Sequence, residues 1–187
     1  MTATAAVLFS ASVFAATKYA VGTCQPHLTS YSTISQAVQQ RPFRFHHRGV
    51  PGNHPEQVLI TQLLTLLGVS FQGSDAAVVT VPSGGLVQNV NSPSCVPFGT
   101  LYYQVLVQTT GPVDISNLVV DGTGASGAIC VTGIYYQDSS GTISDVSARN
   151  QPNIGLGILA ETISGRRSGD NRSEQCGSWF CLSWNQR

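Results

Sequence analysis

The chain has 187 residues, a length that suits one domain with a sizeable core. Only 10% of its residues are charged and its formal net charge is zero, whereas about 25% of residues are charged in an ordinary globular protein. No overall field therefore draws the chain to nucleic acid or to an anionic membrane, and any binding of a polyanion has to be local.

The first sixteen residues, MTATAAVLFSASVFAA, contain an apolar run that ends in small residues. This pattern is typical of the second half of a secretory signal peptide, although the basic segment that normally precedes it is missing. A buried strand is the alternative. The run is shorter than the roughly 20 apolar residues that cross a bilayer. We predict that residues 1–16 are a leader, that the protein is secreted to the extracellular space or the periplasm, and that it has no membrane span.

The next element is a short amphipathic helix over residues 33–40. Ile34, Ala37 and Val38 recur at helical spacing behind Ser and Thr residues that can cap an N-terminus. Directly after this helix, residues 41–50 read RPFRFHHRGV, a basic stretch that lacks the alternation of a strand. We expect no strand there.

From residue 57 onward the chain consists of short β-branched and apolar runs, broken by Gly, Ser, Asn and Asp. This pattern indicates an all-β chain. Such a chain can be a sandwich, a barrel or a β-solenoid, and an internal repeat helps to distinguish them. VQTTGPVDISNLVVDG aligns with YQDSSGTISDVSARN, which places Ile115 and Ile143 28 residues apart. Ile60 begins a looser copy, and Gly133-Ile134 matches Gly157-Ile158. Self-similarity at such a period predicts stacked repeats rather than a sandwich.

Stacking of the two copies predicts which side chains meet. Ile115, Leu118 and Val120 are expected to lie over Ile143, Val146 and Ala148 in an apolar interior column. Asn117 over Asp145 is expected at a tight corner, where a left-handed backbone suits Asn and Asp. The helix at residues 33–40 is expected to cap one end of the stack.

Metal binding is not indicated by the cysteines, because they form no CxxC pair and have no His at a zinc-ligand spacing. The five are Cys24, Cys95, Cys130, Cys176 and Cys181. We predict no cofactor. In an exported protein we expect a disulfide between Cys95 and Cys130, since both lie in the regularly patterned middle of the chain. The odd number leaves at least one thiol unpaired.

Four segments carry a resemblance to a known family: TISQAVQQ, PGNHPEQVLITQLLTLLGVS, VDISNLVVDGTG and GIYYQDSSGTISDVSARNQ. Together they resemble the right-handed parallel β-helix proteins of the pectin lyase-like superfamily, especially secreted bacterial members of unassigned function. The resemblance covers residues 23–161. It implies an all-β, right-handed parallel β-helix, a solenoid with a short N-terminal capping helix, over residues 17–164. The family's Pro-Gly-x-Tyr-x-Glu turn is present, with His54 in place of Tyr.

Two segments depart from the family pattern, residues 41–50 and the tail at 165–187. Where the family has an apolar strand, residues 41–50 are basic, and they are either a loop that binds acidic sugars or the product of a shifted reading frame. Several relatives have Cys where this chain has Val50, so Cys24 is left without the partner that the resemblance implies. The tail is charged and irregular. It is either functional or the product of a shifted reading frame, and a disordered basic tail is the third possibility.

The resemblance also suggests catalytic residue sets to look for. Pectate lyases hold calcium with several carboxylates, galacturonases combine aspartates with His and Arg-x-Lys, and pectin methylesterases use two Asp, an Arg and glutamines. None of these sets is complete here, because the aspartates occur singly. Asp121 and Arg149 are the candidate ligand-binding pair, since the repeat places them on one face of successive strands; an ordinary cross-strand ion pair is the alternative. Four tyrosines at 102, 103, 135 and 136 are expected either to stack on sugars or to pack.

These observations favour a secreted, non-catalytic β-helix that contacts polysaccharide or cell-surface material. A degenerate or truncated pectin-active lyase or esterase, and a structural or adhesive module of a longer surface protein, are the alternatives. We expect a monomer whose partner is polysaccharide and not nucleic acid.

Overall fold

A computed structural model describes residues 17–22, 26–40, 45–49, 52–69 and 77–163. These residues are mostly strand, with one short helix, α1 (Ile34–Val38). The strands in chain order are β1 (Thr17–Val21), β2 (Thr29–Tyr31), β3 (Phe45–Gly49), β4 (Gly52–Pro55), β5 (Val58–Ile60), β6 (Leu64–Gly68), β7 (Ala77–Thr80), β8 (Asn89–Asn91), β9 (Thr100–Val107), β10 (Pro112–Ser116), β11 (Val119–Asp121), β12 (Cys130–Gln137), β13 (Ser140–Ser144), β14 (Ser147–Arg149) and β15 (Ile154–Glu161). The prediction of an all-β chain is confirmed.

The strands form three sheets that the chain visits repeatedly. The first has the order β13-β10-β6-β3-β1-β2, the second β14-β11-β7-β4, and the third β15-β12-β9-β5. From β3 onward the chain passes through the three sheets in the same order four times. Neighbouring strands pair in parallel, except that β8 joins the third sheet antiparallel to β9. Each pass therefore adds one strand to each sheet.

The register confirms the stacking that the repeat predicts. Ile115 pairs with Ile143, Val120 with Ala148, and Ile134 with Ile158. Apolar side chains of all three sheets meet in one buried cluster, which includes Ile115, Leu118, Val120 and Ile134. The looser copy at Ile60 was aligned wrongly: Ile60 lies in the third sheet, and the residue that pairs with Ile115 is Leu66.

The corner between the first and second sheets has the predicted left-handed residues. Asn117 and Asp145 both have φ of 51°, a conformation that Asn and Asp adopt more readily than other residues with side chains. The side-chain amide of Asn117 donates a 2.7 Å hydrogen bond to the carbonyl of Gly68, one pass earlier. The corner residues thus connect successive passes.

Helix α1 forms where the hydrophobic spacing predicts it, with Thr33 as its N-cap. The hydroxyl of Thr33 accepts a 3.1 Å hydrogen bond from the backbone N–H of Gln36. The carboxylate of Glu56, in the turn after β4, accepts backbone N–H bonds of 2.8 Å from both Ile34 and Ser35. A carboxylate at the start of a helix satisfies donors that the helix itself leaves unpaired.

The prediction that residues 41–50 contain no strand is wrong. The backbone of β3 pairs with β1 on one side and with β6 on the other. Parallel ladders are made by main-chain groups, which every residue except proline supplies in full, so two neighbouring strands can hold a segment whose side chains do not alternate. The interpretations of residues 41–44 and 50 lie outside the described residues.

A long excursion between β7 and β9 covers the other face of the third sheet. It contains β8 and is joined to β12 by the predicted disulfide Cys95–Cys130, whose Cα atoms are 6.1 Å apart. The two cysteines and Leu106 belong to a second buried cluster, whereas Val105 and Val107 point into the main core. Alternate residues of β9 therefore serve two separate apolar layers.

The predicted leader (residues 1–16), the tail (165–187) and Cys24, Cys176 and Cys181 lie outside the described residues. Among the residues that are described, no helix has the length and apolar character needed to cross a bilayer.

Candidate functional site

The predicted pair Asp121 and Arg149 is brought together as the repeat implies. Asp121 ends β11 and pairs in register with Arg149 at the end of β14. Nε of Arg149 donates a 2.9 Å hydrogen bond to Oδ2 of Asp121. The aspartate side chain is only 14% exposed and that of the arginine 44%, so the carboxylate is the more enclosed partner.

The carboxylate of Asp121 accepts several further hydrogen bonds from the protein. Its Oδ1 accepts from the backbone N–H and the hydroxyl of Thr123, at 2.9 and 2.6 Å, and from the side-chain amide of Asn150 at 3.1 Å. Burial alone would raise the pKa of Asp121, but the hydrogen bonds from Thr123, Arg149 and Asn150 outweigh it and hold the pKa well below its usual range. This geometry is that of a carboxylate engaged in joining two passes of the chain.

The tyrosine set that the sequence suggested is not one surface. Tyr102 pairs with Val131, whereas Tyr136 pairs with Val107. Tyr102 and Tyr103 lie near the start of β9, whereas Tyr135 and Tyr136 lie near the end of β12. The two Tyr-Tyr sequences are therefore not neighbours across the sheet. Tyr103, Tyr135 and Tyr136 are buried, and burial raises the pKa of each hydroxyl. Stacking of these three rings on a sugar is excluded by their position in the apolar layers.

A polar groove lies at the carboxyl ends of the strands of the third sheet. It has a volume of about 390 Å³ and is lined by Thr61, Gln108, Thr109, Thr110, Gln137 and Asp138. These residues end or directly follow β5, β9 and β12. Because each pass contributes to the same edge, hydroxyl and amide groups recur along the groove in neighbouring strands.

Hydrogen bonds order the groove. Nε2 of Gln108 donates to Oε1 of Gln137, and Nε2 of Gln137 donates a 3.3 Å bond to the carbonyl of Asn91 in β8. The backbone N–H of Thr109 donates to Oγ of Ser139 at 2.8 Å. Asp138 has φ of 49°, and its Oδ1 accepts a 2.7 Å bond from the backbone N–H of Ile163. These hydrogen bonds therefore hold the side chains of Gln108, Gln137 and Asp138 in place along the groove.

Sequence reasoning missed this groove, although its signal was present. The repeat aligns QTTG, from Gln108, with QDSSG, from Gln137. Both copies therefore begin with polar residues at equivalent positions of the repeat. Polar residues at equal positions in successive repeats lie side by side when the strands stack in register.

One carboxylate stands beside the groove. Glu161 pairs in register with Gln137. Its Oε2 accepts hydrogen bonds from the hydroxyls of Tyr135 and Ser92, at 2.7 and 2.8 Å, and its Oε1 accepts one of 3.1 Å from the backbone N–H of Ser94. Burial would raise the pKa of Glu161, but these hydrogen bonds lower it below its usual value. Glu161 thus fastens the excursion to the third sheet as an ionised group.

In the part of the chain that the structure describes, no group of three or more His, Cys, Asp or Glu residues is placed to hold a metal ion. Comparisons with family models, with curated proteins and with solved structures find no match for this chain.

Proposed function

We propose that this protein is a secreted, non-catalytic, right-handed parallel β-helix that contacts polysaccharide through the groove at the carboxyl ends of the third sheet. The observation that carries the proposal is the recurrence of amide and hydroxyl groups at Gln108, Thr109, Thr110 and Gln137 along one groove. Amides and hydroxyls both donate and accept hydrogen bonds, as sugar hydroxyls do. A row of such groups on successive strands suits a ligand that itself repeats.

The β-helix part of the proposal is supported by the path of the chain. Four passes visit three sheets in one order, with parallel pairing between passes. A sandwich or a meander joins antiparallel neighbours by short turns, whereas parallel neighbours need a connection that returns to the same end. Stacking of whole passes supplies that connection.

A non-catalytic role is supported by the state of the two enclosed carboxylates. In each, burial raises the pKa less than the protein hydrogen bonds lower it, so Asp121 and Glu161 are both held in the ionised form. A general acid works best with a pKa near the working pH. Both carboxylates also accept hydrogen bonds from several protein donors, which suits a structural task.

Secretion is supported by the pair Cys95–Cys130, which joins the excursion to β12. Disulfides persist in extracellular and periplasmic proteins and are rare in reducing compartments. The groove lies on the sheet to which this disulfide ties the excursion. An oxidising environment would therefore preserve the shape of the groove.

Retention of the protein on insoluble polysaccharides tests the proposal. We expect retention on at least one plant or microbial polymer, and weaker retention for the double variant Gln108→Ala/Gln137→Ala. Gln39→Ala is the matched control, because it removes an exposed amide next to helix α1 and should leave retention unchanged.

Two results would count against the proposal. One is a lack of retention on every polymer of a panel that contains both neutral and uronic-acid polymers. The other is steady release of reducing ends or of methanol from pectin, because a binding protein does not turn over its ligand.

A further inference from the structure

We propose that the groove binds an extended, unbranched polysaccharide that crosses the strands of the third sheet, with one sugar unit at each of β5, β9 and β12. This inference rests on the proposed function and names the class of ligand, and its direction, for the same groove. It is drawn from the register of the three strands and from the polar groups at their ends that the protein leaves free.

Three polar residues form a row across the carboxyl ends of these strands. Ile60, Val107 and Tyr136 are partners in register on neighbouring strands. The residues that directly follow them are therefore neighbours as well: Thr61, Gln108 and Gln137. The backbone N–H of Gln108 donates a 2.9 Å hydrogen bond to the carbonyl of Ile60, which continues the pairing past the last residue of β9. The row thus contains one polar side chain for each pass of the chain.

The spacing of this row suits a polymer of sugars. Neighbouring strands of a sheet lie about 4.8 Å apart. A pyranose unit that is linked through opposite sides of its ring lengthens an extended chain by about the same distance. Successive units of such a chain therefore meet successive strands, whereas a chain that coils or branches soon loses contact with the row.

The groove has hydrogen-bonding capacity that the protein does not use. Within the described residues, the hydroxyls of Thr61 and Thr110 and the side-chain carbonyl oxygen of Gln108 take part in no hydrogen bond. All three residues are exposed and line the groove. Hydroxyl and amide groups both donate and accept hydrogen bonds, so they can bond to the hydroxyls of a sugar.

The amides of the row are ordered before a ligand arrives. The amide of Gln108 donates to that of Gln137, which in turn donates to the carbonyl of Asn91. Side chains that are already held in place lose little conformational freedom on binding. A ligand that follows the row therefore meets groups that need little rearrangement.

The row has three positions. On one side, β5 is the last strand of the third sheet in the described part of the chain. On the other side, the residue in register with Gln137 is Glu161, whose carboxylate is engaged within the protein by Ser92, Ser94 and Tyr135. We therefore expect three sugar units to fill the row.

Titration of the intact protein with oligosaccharides of one to six units tests the inference. The extended series are cello-, manno-, xylo- and galacturono-oligosaccharides, and the malto series, which coils, is the comparison. For at least one extended series we expect the affinity to rise about three- to tenfold with each unit up to the third and then to level off, since each unit adds a hydrogen-bonded contact. The malto hexamer should bind about tenfold or more weakly than the extended hexamer.

Two threonine variants distinguish the directions that a ligand can take. Thr61→Val removes the hydroxyl at the end of the row, so the trimer should bind this variant about as weakly as the dimer binds the wild type. A ligand that lay along a single pass would instead depend on Thr110, which follows Gln108 in the same pass, and Thr110→Val would then abolish the gain with length. Thr65→Val is the matched control, because Thr65 is a half-exposed threonine of β6 in the first sheet and should leave every affinity unchanged.

The outcomes separate the inference from the function on which it rests. Retention on a polymer, together with oligosaccharide affinities that do not depend on length or that keep rising through six units, overturns the inference and leaves polysaccharide contact standing. The same holds if the malto hexamer binds as tightly as the extended hexamers, or if Thr110→Val abolishes the gain with length and Thr61→Val does not change it. No retention on any polymer of the panel overturns the proposed function itself.

Discussion

Arg149 lies directly opposite Asp121 across β11 and β14, and the carboxylate that it contacts also accepts hydrogen bonds from Thr123 and Asn150. We therefore expect the pair to matter for stability and not for ligand binding. Asp121→Ala removes the charged acceptor that Thr123, Arg149 and Asn150 share, and should cost about 1–3 kcal/mol because hydrogen bonds to a charged group are lost. Arg149→Ala removes an exposed partner and should cost about 0–1 kcal/mol. Urea unfolding measures both.

The same two variants check the ligand role that the sequence suggested for this pair. If either abolishes retention on polysaccharide while the free energy of unfolding stays unchanged, Asp121 and Arg149 form a binding site and the structural interpretation is wrong.

Glu161 gives the stability a dependence on pH. Burial would raise its pKa, but the hydrogen bonds from Ser94, Tyr135 and Ser92 set the folded-state pKa below the usual value. Its contribution is therefore fully present above the pKa of an unfolded glutamate, about 4.3, and is lost as the pH falls toward the folded-state pKa. Asp121, whose pKa is also lowered, acts in the same direction.

Glu161→Gln isolates this effect in urea unfolding between neutral and acidic pH. The variant should be less stable than the wild type at neutral pH, and the difference should shrink on acidification. A difference that stays constant down to acidic pH would contradict the assignment. Tyr135→Phe is the companion variant, because it removes one donor and keeps the titrating group.

Gly141 cannot accept a side chain. Its φ is 150°, and an added Cβ would lie 1.8 Å from the carbonyl oxygen of Val113 in the neighbouring strand. We expect Gly141→Ala to cost about 3 kcal/mol or more, since strain and a main-chain clash combine. Gly84→Ala is the control: nothing lies within 4 Å of its added Cβ, and it should change stability by less than about 0.5 kcal/mol. Equal effects of the two would show that β10 and β13 do not pair as described.

The disulfide Cys95–Cys130 closes a sequence separation of 35 residues. Loop-closure entropy for that separation predicts a loss of about 3–4 kcal/mol on reduction. Thermal unfolding with and without reductant measures the loss. The double variant Cys95→Ala/Cys130→Ala should already be destabilised and should not respond to reductant; a response would trace to other cysteines and not to this bond.

The sequence predicted the elements whose residues repeat at equal spacing. Ile115 and Ile143 could be paired because nothing is inserted between their passes, and Asn117 and Asp145 followed from the same alignment. Ile60 was misplaced because the excursion before β9 breaks the period. The Tyr-Tyr sequences were misplaced because strand partners depend on register, which identical letters do not determine. β3 was missed because its backbone pairing does not require alternation.

The candidate site was harder to predict than the fold. Asp121 and Arg149 were found as neighbours, but the hydrogen bonds from Thr123 and Asn150 depend on local turn geometry. The groove at Gln108 and Gln137 can be predicted only once it is known that the two polar sequences lie at the ends of adjacent strands.

The excursion of residues 81–99 enters between β7 and β9, yet β9 still pairs in parallel with β5 and β12. The connection between these two strands can therefore carry a long insertion without disturbing the stacked side chains of the core. The groove borders that addition at Asn91. Changes in the length or sequence of this excursion should therefore leave the parallel pairing of β9 intact.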